Sequence, residues 1–129
     1  MKIVYICGPF RAPTPWAVEQ NVRRAEAIAL EVAERGAMPL CPHTNTRFFN
    51  GLLSDQFWIE GTAELLRRCD AIFRLQGWFR SEGSKGETLL AAELGIPIFD
   101  YLEDLEAWIV ACEKEEKRTG VRDGGGDDS

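Results

Sequence analysis

The chain has 129 residues, 45% of them hydrophobic and 28% charged, with a formal net charge of −6. That profile fits one globular domain able to bury a core without staples, and it excludes a disordered or fibrous chain. The acidic balance argues against binding long nucleic acid, which needs a basic face, but leaves room for a local basic pocket that takes one phosphate.

Cys7, Cys41, Cys69 and Cys112 make no C-x-x-C pair, and His43 is the single histidine. No metal site is therefore expected, and scattered cysteines fit a reducing compartment. Met1-Lys2 runs straight into a short apolar stretch ended by Gly8-Pro9, which does not read as a secretory signal. No apolar run approaches the roughly 18 residues of a membrane span. A cytoplasmic protein without a membrane partner is expected.

Residues 2–7 read as a buried strand, short, β-branched and stopped by Gly8-Pro9. After a loop, Thr14-Pro15 looks like an N-cap with proline at the first helical position. Val18, Val22, Ala25, Ala29 and Val32 then mark an amphipathic helix ending at Gly36. Residues 37–40 form a short strand whose Pro39 points to a sheet edge. A polar loop covers 41–54, and a helix weakened by Gly61 runs from Ser54 or Asp55 to Arg68. Asp70 to Gln76 reads as a strand, 77–83 as a loop, Lys85 to Leu94 as a helix stopped by Gly95, Ile96 to Phe99 as a strand, and Glu103 to Lys117 as a last helix. The domain is expected to span 1–118. Residues 119–129, with a Gly-Gly-Gly-Asp-Asp run, read as a disordered acidic tail.

Strands alternating with helices imply an α/β fold, a three-layer sandwich of flavodoxin-like or Rossmann-like type. We expect a parallel sheet of about four strands in the order 2-1-3-4, with helices on both faces. Such sheets bind ligands beyond the carboxyl ends of the strands, where the strand order reverses. In this order that point lies between the first and third strands, which feed the loops 8–13 and 76–86.

Several residues near those loops have two readings. Ser84-Lys85-Gly86-Glu87 fits a capping box, with Ser84 as cap and Glu87 reaching back. It also fits a carboxylate kept ionised by a helix N-terminus and able to attack an anomeric carbon. Ser81-Glu82-Gly83 is either a polar turn or a phosphate or hydroxyl site. Arg80, Lys85 and Arg11 are solvated surface or the gathering of charge around an anion. Arg74 in an apolar strand requires a partner, such as Glu93 or Asp70, unless it serves the ligand or orients Glu87. Tyr5 is either a core aromatic or a hydrogen-bond partner of the nucleophile. Trp58, Trp78 and Phe10 are core residues or stacking platforms for a base, with Trp78 the best placed because Gly77-Trp78 follows the third strand. His43 reads as a capping or surface residue more than an acid or base.

The chain resembles the nucleoside 2-deoxyribosyltransferase superfamily, in particular its short DUF4406-like branch, over roughly residues 2–100. The resemblance is carried by Tyr5-Ile6-Cys7-Gly8-Pro9-Phe10-Arg11, Leu65-Leu66-Arg67-Arg68-Cys69-Asp70-Ala71, Gly77-Trp78, Ser81-x-Gly83-x-x-x-Glu87 and Leu94-Gly95-Ile96-Pro97. It implies a flavodoxin-like fold with Glu87 as nucleophile. The first loop is similar to that of deoxynucleoside 5′-monophosphate N-glycosidases, which implies that Tyr5 lies near the nucleophile and that Gly8, Arg11 and Ser81 line a nucleotide site. Asp70 matches a family aspartate with a mainly structural role. One departure stands out: members carry an aspartate eight residues before Asp70, where this chain has Thr62. Glu60 and Asp55 are the nearby acids.

The resulting expectation is cleavage or transfer of the N-glycosidic bond of a nucleoside or nucleoside 5′-monophosphate. Glu87 and Tyr5 are the catalytic candidates. Gly8, Pro9, Phe10, Arg11, Trp78, Ser81, Gly83 and Ser84 are the substrate-binding ones, and neither metal nor cofactor is expected. The alternative is a non-catalytic nucleotide-binding module on the same fold. Cleavage of the nicotinamide bond of NAD is a third reading, against which the missing G-x-G-x-x-G counts only slightly. The resemblance also implies a homodimer or higher homo-oligomer.

Overall fold

The computed structural model describes residues 1–49 and 51–120. Its elements are β1 (Ile3–Cys7), α1 (Pro15–Glu34), β2 (Met38–Leu40), α2 (Pro42–Asn45), α3 (Asp55–Arg67), β3 (Ala71–Arg74), a 3₁₀ turn (Trp78–Arg80), α4 (Glu82–Leu94), β4 (Ile98–Phe99) and α5 (Leu102–Thr119). The four strands form one parallel sheet in the order β2-β1-β3-β4. The expected flavodoxin-like α/β fold, its strand order and its helices on both faces are all present. The third and fourth strands are shorter than the apolar runs that announce them, although the Leu75 N–H still donates to the Cys7 carbonyl at 2.7 Å and the Pro97 carbonyl accepts from the Ile72 N–H at 3.0 Å. The polar stretch 41–54 contains the short helix α2. Of residues 119–129, expected as a disordered tail, Thr119 ends α5 and Gly120 caps it, and residues 121–129 lie outside the described residues. Among the described residues no helix is long and apolar enough to cross a membrane.

The alternation of β1 builds the two cores. Val4 and Ile6 face one side, where they pack with Ala25 and Val32 of α1, Ala71 and Phe73 of β3, and Leu105 and Ile109 of α5. Tyr5 and Cys7 face the other, among Leu66 of α3, Ile72 of β3 and Ala91 of α4. Val4 to Cys7 are completely buried, as expected of a central parallel strand covered on both faces. The period-2 pattern thus sends Tyr5 and Cys7 to the α3/α4 side.

The helices start where local chemistry allows. The Ala17 N–H donates to Thr14 Oγ1 at 3.1 Å and Pro15 occupies the first helical turn, so α1 begins as expected. Ser54 caps α3 by accepting from the Phe57 N–H at 3.2 Å. Asp70 accepts from the Ile3 N–H through Oδ2 at 2.8 Å while its own N–H donates to the Ile3 carbonyl at 2.8 Å, which ties the entry of β3 to that of β1. Arg74 finds neither Glu93 nor Asp70. It makes a two-pronged pair with Asp100, at 2.7 and 2.6 Å, because β3 lies beside β4 and Asp100 follows Phe99 directly.

At the carboxyl end of β1 the chain passes close to its neighbour. A Cβ added at Gly8 would lie 3.0 Å from Leu75 Cβ and 3.1 Å from its Cδ1, while the Leu75 N–H donates to the Cys7 carbonyl at 2.7 Å. The close approach that starts the first loop therefore admits a Cβ only if Leu75 gives by a few tenths of an ångström. Gly8→Ala should lower unfolding stability by about 1–3 kcal/mol, the usual cost of overpacking. Denaturant unfolding checks this, and an unchanged midpoint would show that Leu75 yields freely.

Candidate functional site

A cavity of about 530 Å³ opens between the first loop, α3 and the start of α4, a volume ordinary for a small-molecule site. It sits at the β1/β3 junction. The lining includes Tyr5, Gly8, Pro9, Phe10, Arg11, Ser81, Gly83, Ser84 and Glu87 from the residues singled out in the sequence. Trp78 is not among the lining residues. Gly77 adopts a left-handed conformation, φ 87°, and launches the 3₁₀ turn so that the Trp78 ring lies 3.9 Å from the Arg74 guanidinium. Trp58 lines the cavity instead.

Glu87 is placed differently from the capping-box expectation. The helix begins three residues earlier than Lys85, and Ser81 is its cap, accepting from the Ser84 N–H at 3.2 Å. Ser84 lies inside the first turn, 2% exposed, with an unpartnered Oγ. Glu87 is therefore in the second turn, beyond the strongest reach of the helix dipole. Burial decides its charge state: it pushes the Glu87 carboxyl above the usual range, partly offset by hydrogen bonds from Tyr5 and Cys7.

The fully buried Tyr5 donates its hydroxyl to Glu87 Oε2 across 82 residues of sequence. Burial, then the negative charge and hydrogen bond of Glu87, push the phenol far above its usual value, with a smaller opposing hydrogen bond from Thr62. Tyr5 is thus a fixed donor. Cys7 lies on the same face, its thiol donating to the Ser84 carbonyl at 3.7 Å and held protonated by burial and then by Glu87.

The first loop is clamped from behind by two side chains. Asn21 of α1, 7% exposed, donates Nδ2 to the Phe10 carbonyl at 3.0 Å. His43 of α2 donates Nε2–H to the Pro9 carbonyl at 2.9 Å and stands 5.6 Å from the Phe10 ring. Burial lowers its pKa, so it is a neutral loop anchor, buried where a surface role was one expectation. Asn21 escaped the sequence reading. Its one signal is an asparagine, a poor helix former, beside Val22 on the apolar stripe of α1.

The third wall is one face of α3: Asp55, Trp58, Ile59 and Thr62 follow the i, i+3, i+4, i+7 spacing and all line the cavity. The Thr62 hydroxyl donates to the carbonyls of Trp58 at 2.9 Å and Ile59 at 3.1 Å. Asp55 meets Arg11 at 3.1 Å, with both side chains largely exposed, a pair worth little by itself. Glu60 accepts from Gln56 at 3.0 Å and is not among the lining residues. Among the described residues no group of histidine, cysteine, aspartate and glutamate could hold a metal ion.

The raised carboxyl has a thermodynamic signature. A native state that holds a proton above the unfolded pKa is most stabilised below that pKa, and this contribution is lost as pH rises through the native value. Glu87→Gln should therefore gain in stability relative to the parent as pH climbs from about 4 to about 8, starting near the ordinary carboxyl pKa. Thermal unfolding of both proteins across that range checks it. A constant difference would mean that Glu87 titrates alike in both states.

Comparison with known proteins follows the same outline. No curated protein matches the sequence. The solved structure of a 2-deoxyribosyltransferase from the psychrotolerant bacterium Bacillus psychrosaccharolyticus superposes with a TM-score of 0.58 at 17% identity, over 81% of this chain and 90% of that one. The two share the fold. The model of a domain of unknown function, DUF7768, matches residues 2–101, and the chain belongs to that family.

Proposed function

We propose that the chain cleaves or transfers the N-glycosidic bond of a nucleoside or nucleoside 5′-monophosphate, with Glu87 as nucleophile and Tyr5 as the donor that orients it. The observation that carries this reading is a half-buried carboxylate, held by a buried tyrosine, facing a nucleotide-sized cavity at the strand-order reversal. The fold shared with a 2-deoxyribosyltransferase supports it. So does the sequence resemblance to the 5′-monophosphate glycosidases around Tyr5, Gly8, Arg11 and Ser81. The lone pair on a Glu87 oxygen attacks C1′, the base departs, and water or a second base takes the sugar.

In this reading the α4 end of the cavity receives the 5′-phosphate. The Ser81 hydroxyl, the buried Ser84 hydroxyl and the amides of the first turn are polar groups at a helix N-terminus, and Arg80 and Arg11 lie beside them. The surface at Gly83 is open, since a Cβ there would meet only Ser81 Oγ at 3.8 Å. Pro9 and Phe10 form the opposite lip.

Thr62 favours a second reading, a nucleotide-binding module without turnover, because its hydroxyl is spent on helix carbonyls where the family aspartate would stand. One experiment separates the two. Nucleosides, deoxynucleosides and their 5′-monophosphates are incubated with the protein and with Glu87→Gln, and free base is followed by chromatography. The enzyme reading expects release that falls by at least about 10³-fold in the variant, with binding retained. Binding without release from any compound, with or without an acceptor base, selects the module.

We also propose a homo-oligomer. Phe48, Phe49, Leu52 and Leu53 are exposed along the segment leading into α3, at 80%, 48%, 72% and 52%, and Phe57 in its first turn is 52% exposed, a run of exposed apolar residues of the kind found at interfaces. Light scattering should report more than one copy per particle, and Leu52→Asp should shift it toward monomer. A monomeric parent protein would overturn the proposal.

A further inference from the structure

The cavity has two chemically different sides. The start of α4 offers hydroxyls, amides and Arg80. The α3 wall offers the Trp58 ring, the Asp55 carboxylate and Thr62. A nucleotide with its phosphate at α4 lays its base against α3, and the chemistry of that wall limits which base can leave.

Breaking an N-glycosidic bond puts an electron pair on the ring nitrogen. A neutral base then leaves as an anion unless an acid protonates it. The unpartnered Ser84 hydroxyl stands at the α4 end, away from the base, and on the described lining the other candidate acids are committed elsewhere. The Thr62 proton is shared between two backbone carbonyls, at 2.9 and 3.1 Å, and the Tyr5 hydroxyl. Asp55 is held by Arg11 at 3.1 Å. The Tyr5 proton is on Glu87, and burial with that negative charge resists its loss. The His43 Nε2–H is on the Pro9 carbonyl at 2.9 Å, in a site that disfavours the imidazolium. Glu82 pairs with Lys85 at 3.2 Å on the other side of the cavity. Glu87 cannot serve as acid while it acts as ionised nucleophile.

A base that already carries positive charge needs no acid, and the same wall attracts it. The Trp58 ring favours a cation, and so does the Asp55 carboxylate, whose exposed pair with Arg11 is weak and can give way to one. We propose that the site acts on N-glycosides of cationic bases, pyridinium or N7-alkylpurine nucleotides, releasing the base neutral and without general-acid help. This rests on Glu87 being the nucleophile. In the first step a Glu87 oxygen bonds to C1′ as the C1′–N bond breaks, and the released electron pair cancels the ring charge. In the second, water attacks C1′, the sugar–Glu87 ester bond breaks to restore the carboxylate, and the water's surplus proton passes to solvent.

The test compares matched substrates. Nicotinamide mononucleotide and N7-methylguanosine monophosphate are set against guanosine and inosine monophosphates, in ribose and deoxyribose series, with base release followed for the parent, Thr62→Asp and Thr62→Asn. The expected result is turnover of one or both cationic substrates, with the neutral ones slower by roughly 10²-fold or more. Thr62→Asp should raise release from neutral substrates by about 10²-fold, in the range a general acid supplies, while leaving the cationic ones without gain. Thr62→Asn should gain on neither. The two cationic arms tell pyridinium from purine recognition. Neutral substrates cleaved as fast as cationic ones would overturn the proposal and leave the glycosidase reading intact, as would a Thr62→Asp gain shared by both classes. Release from none of the compounds by any of the proteins would overturn both.

Discussion

The hydrogen bond from Tyr5 to Glu87 is the constraint on which the site depends. It joins the central strand to α4 through groups that are both costly to bury alone. A buried phenol needs an acceptor, and a buried carboxylate needs donors. Each satisfies the other. Tyr5 is completely enclosed by Leu66, Ile72 and Ala91, so its hydroxyl has little freedom, and Glu87 is fixed by a donor that cannot move. Cys7, two residues on and on the same face, supplies a second and weaker donor. The carboxylate is therefore held ready, and its raised pKa is the measurable sign of how dry that place is.

Everything around the pair restricts how it can shift. Arg74 binds Asp100 with both prongs and lies over Trp78, which pins the 3₁₀ turn to the ends of β3 and β4. That turn delivers Ser81, whose hydroxyl starts α4 and so sets the rotation that points Glu87 at Tyr5. On the opposite side, Asn21 and His43 hold the Phe10 and Pro9 carbonyls. Gly8 lets the loop leave β1 against Leu75 without a side chain between them. The catalytic candidates thus stand on a strand and a helix, while the residues that would meet a substrate stand on loops braced from behind.

The fold was legible because its signals are periodic. A β-branched strand ending in Gly-Pro, a helix stripe at three and four, and a strict alternation of strand and helix leave few topologies. The Tyr5–Glu87 pairing was legible through the resemblance and not through spacing, since 82 residues separate the two. What escaped depends on packing. The capping box at Ser84 and Glu87 matched a local pattern, but Ser81 offers the same hydroxyl one turn earlier and the backbone took that cap. Trp78 looked like a base platform because it follows a strand end. The left-handed Gly77 instead turns its ring onto Arg74, a cation whose charge needs covering. Asp100, the true partner of Arg74, is 26 residues away and becomes visible only once β4 is known to lie beside β3.

Thr62 shows why substituting one residue need not empty a site of chemistry. In a helix, threonine returns its hydroxyl to carbonyls three and four residues back, and here it does so at Ile59 and Trp58. An aspartate at that position has no proton to return in this way when ionised, and one to give when protonated. In the proposed mechanism, threonine in place of aspartate leaves the α3 wall without a leaving-group acid, while Glu87, Tyr5 and the first turn of α4 keep their places. A site built so is not a ruined version of one with an acid. With Glu87 as the proposed nucleophile, positive charge developing at C1′ would still be stabilised, and the burden of the leaving group would pass to the substrate. Under the proposed mechanism, selection among substrates follows the charge of the base, which an aromatic ring and a carboxylate discriminate at short range.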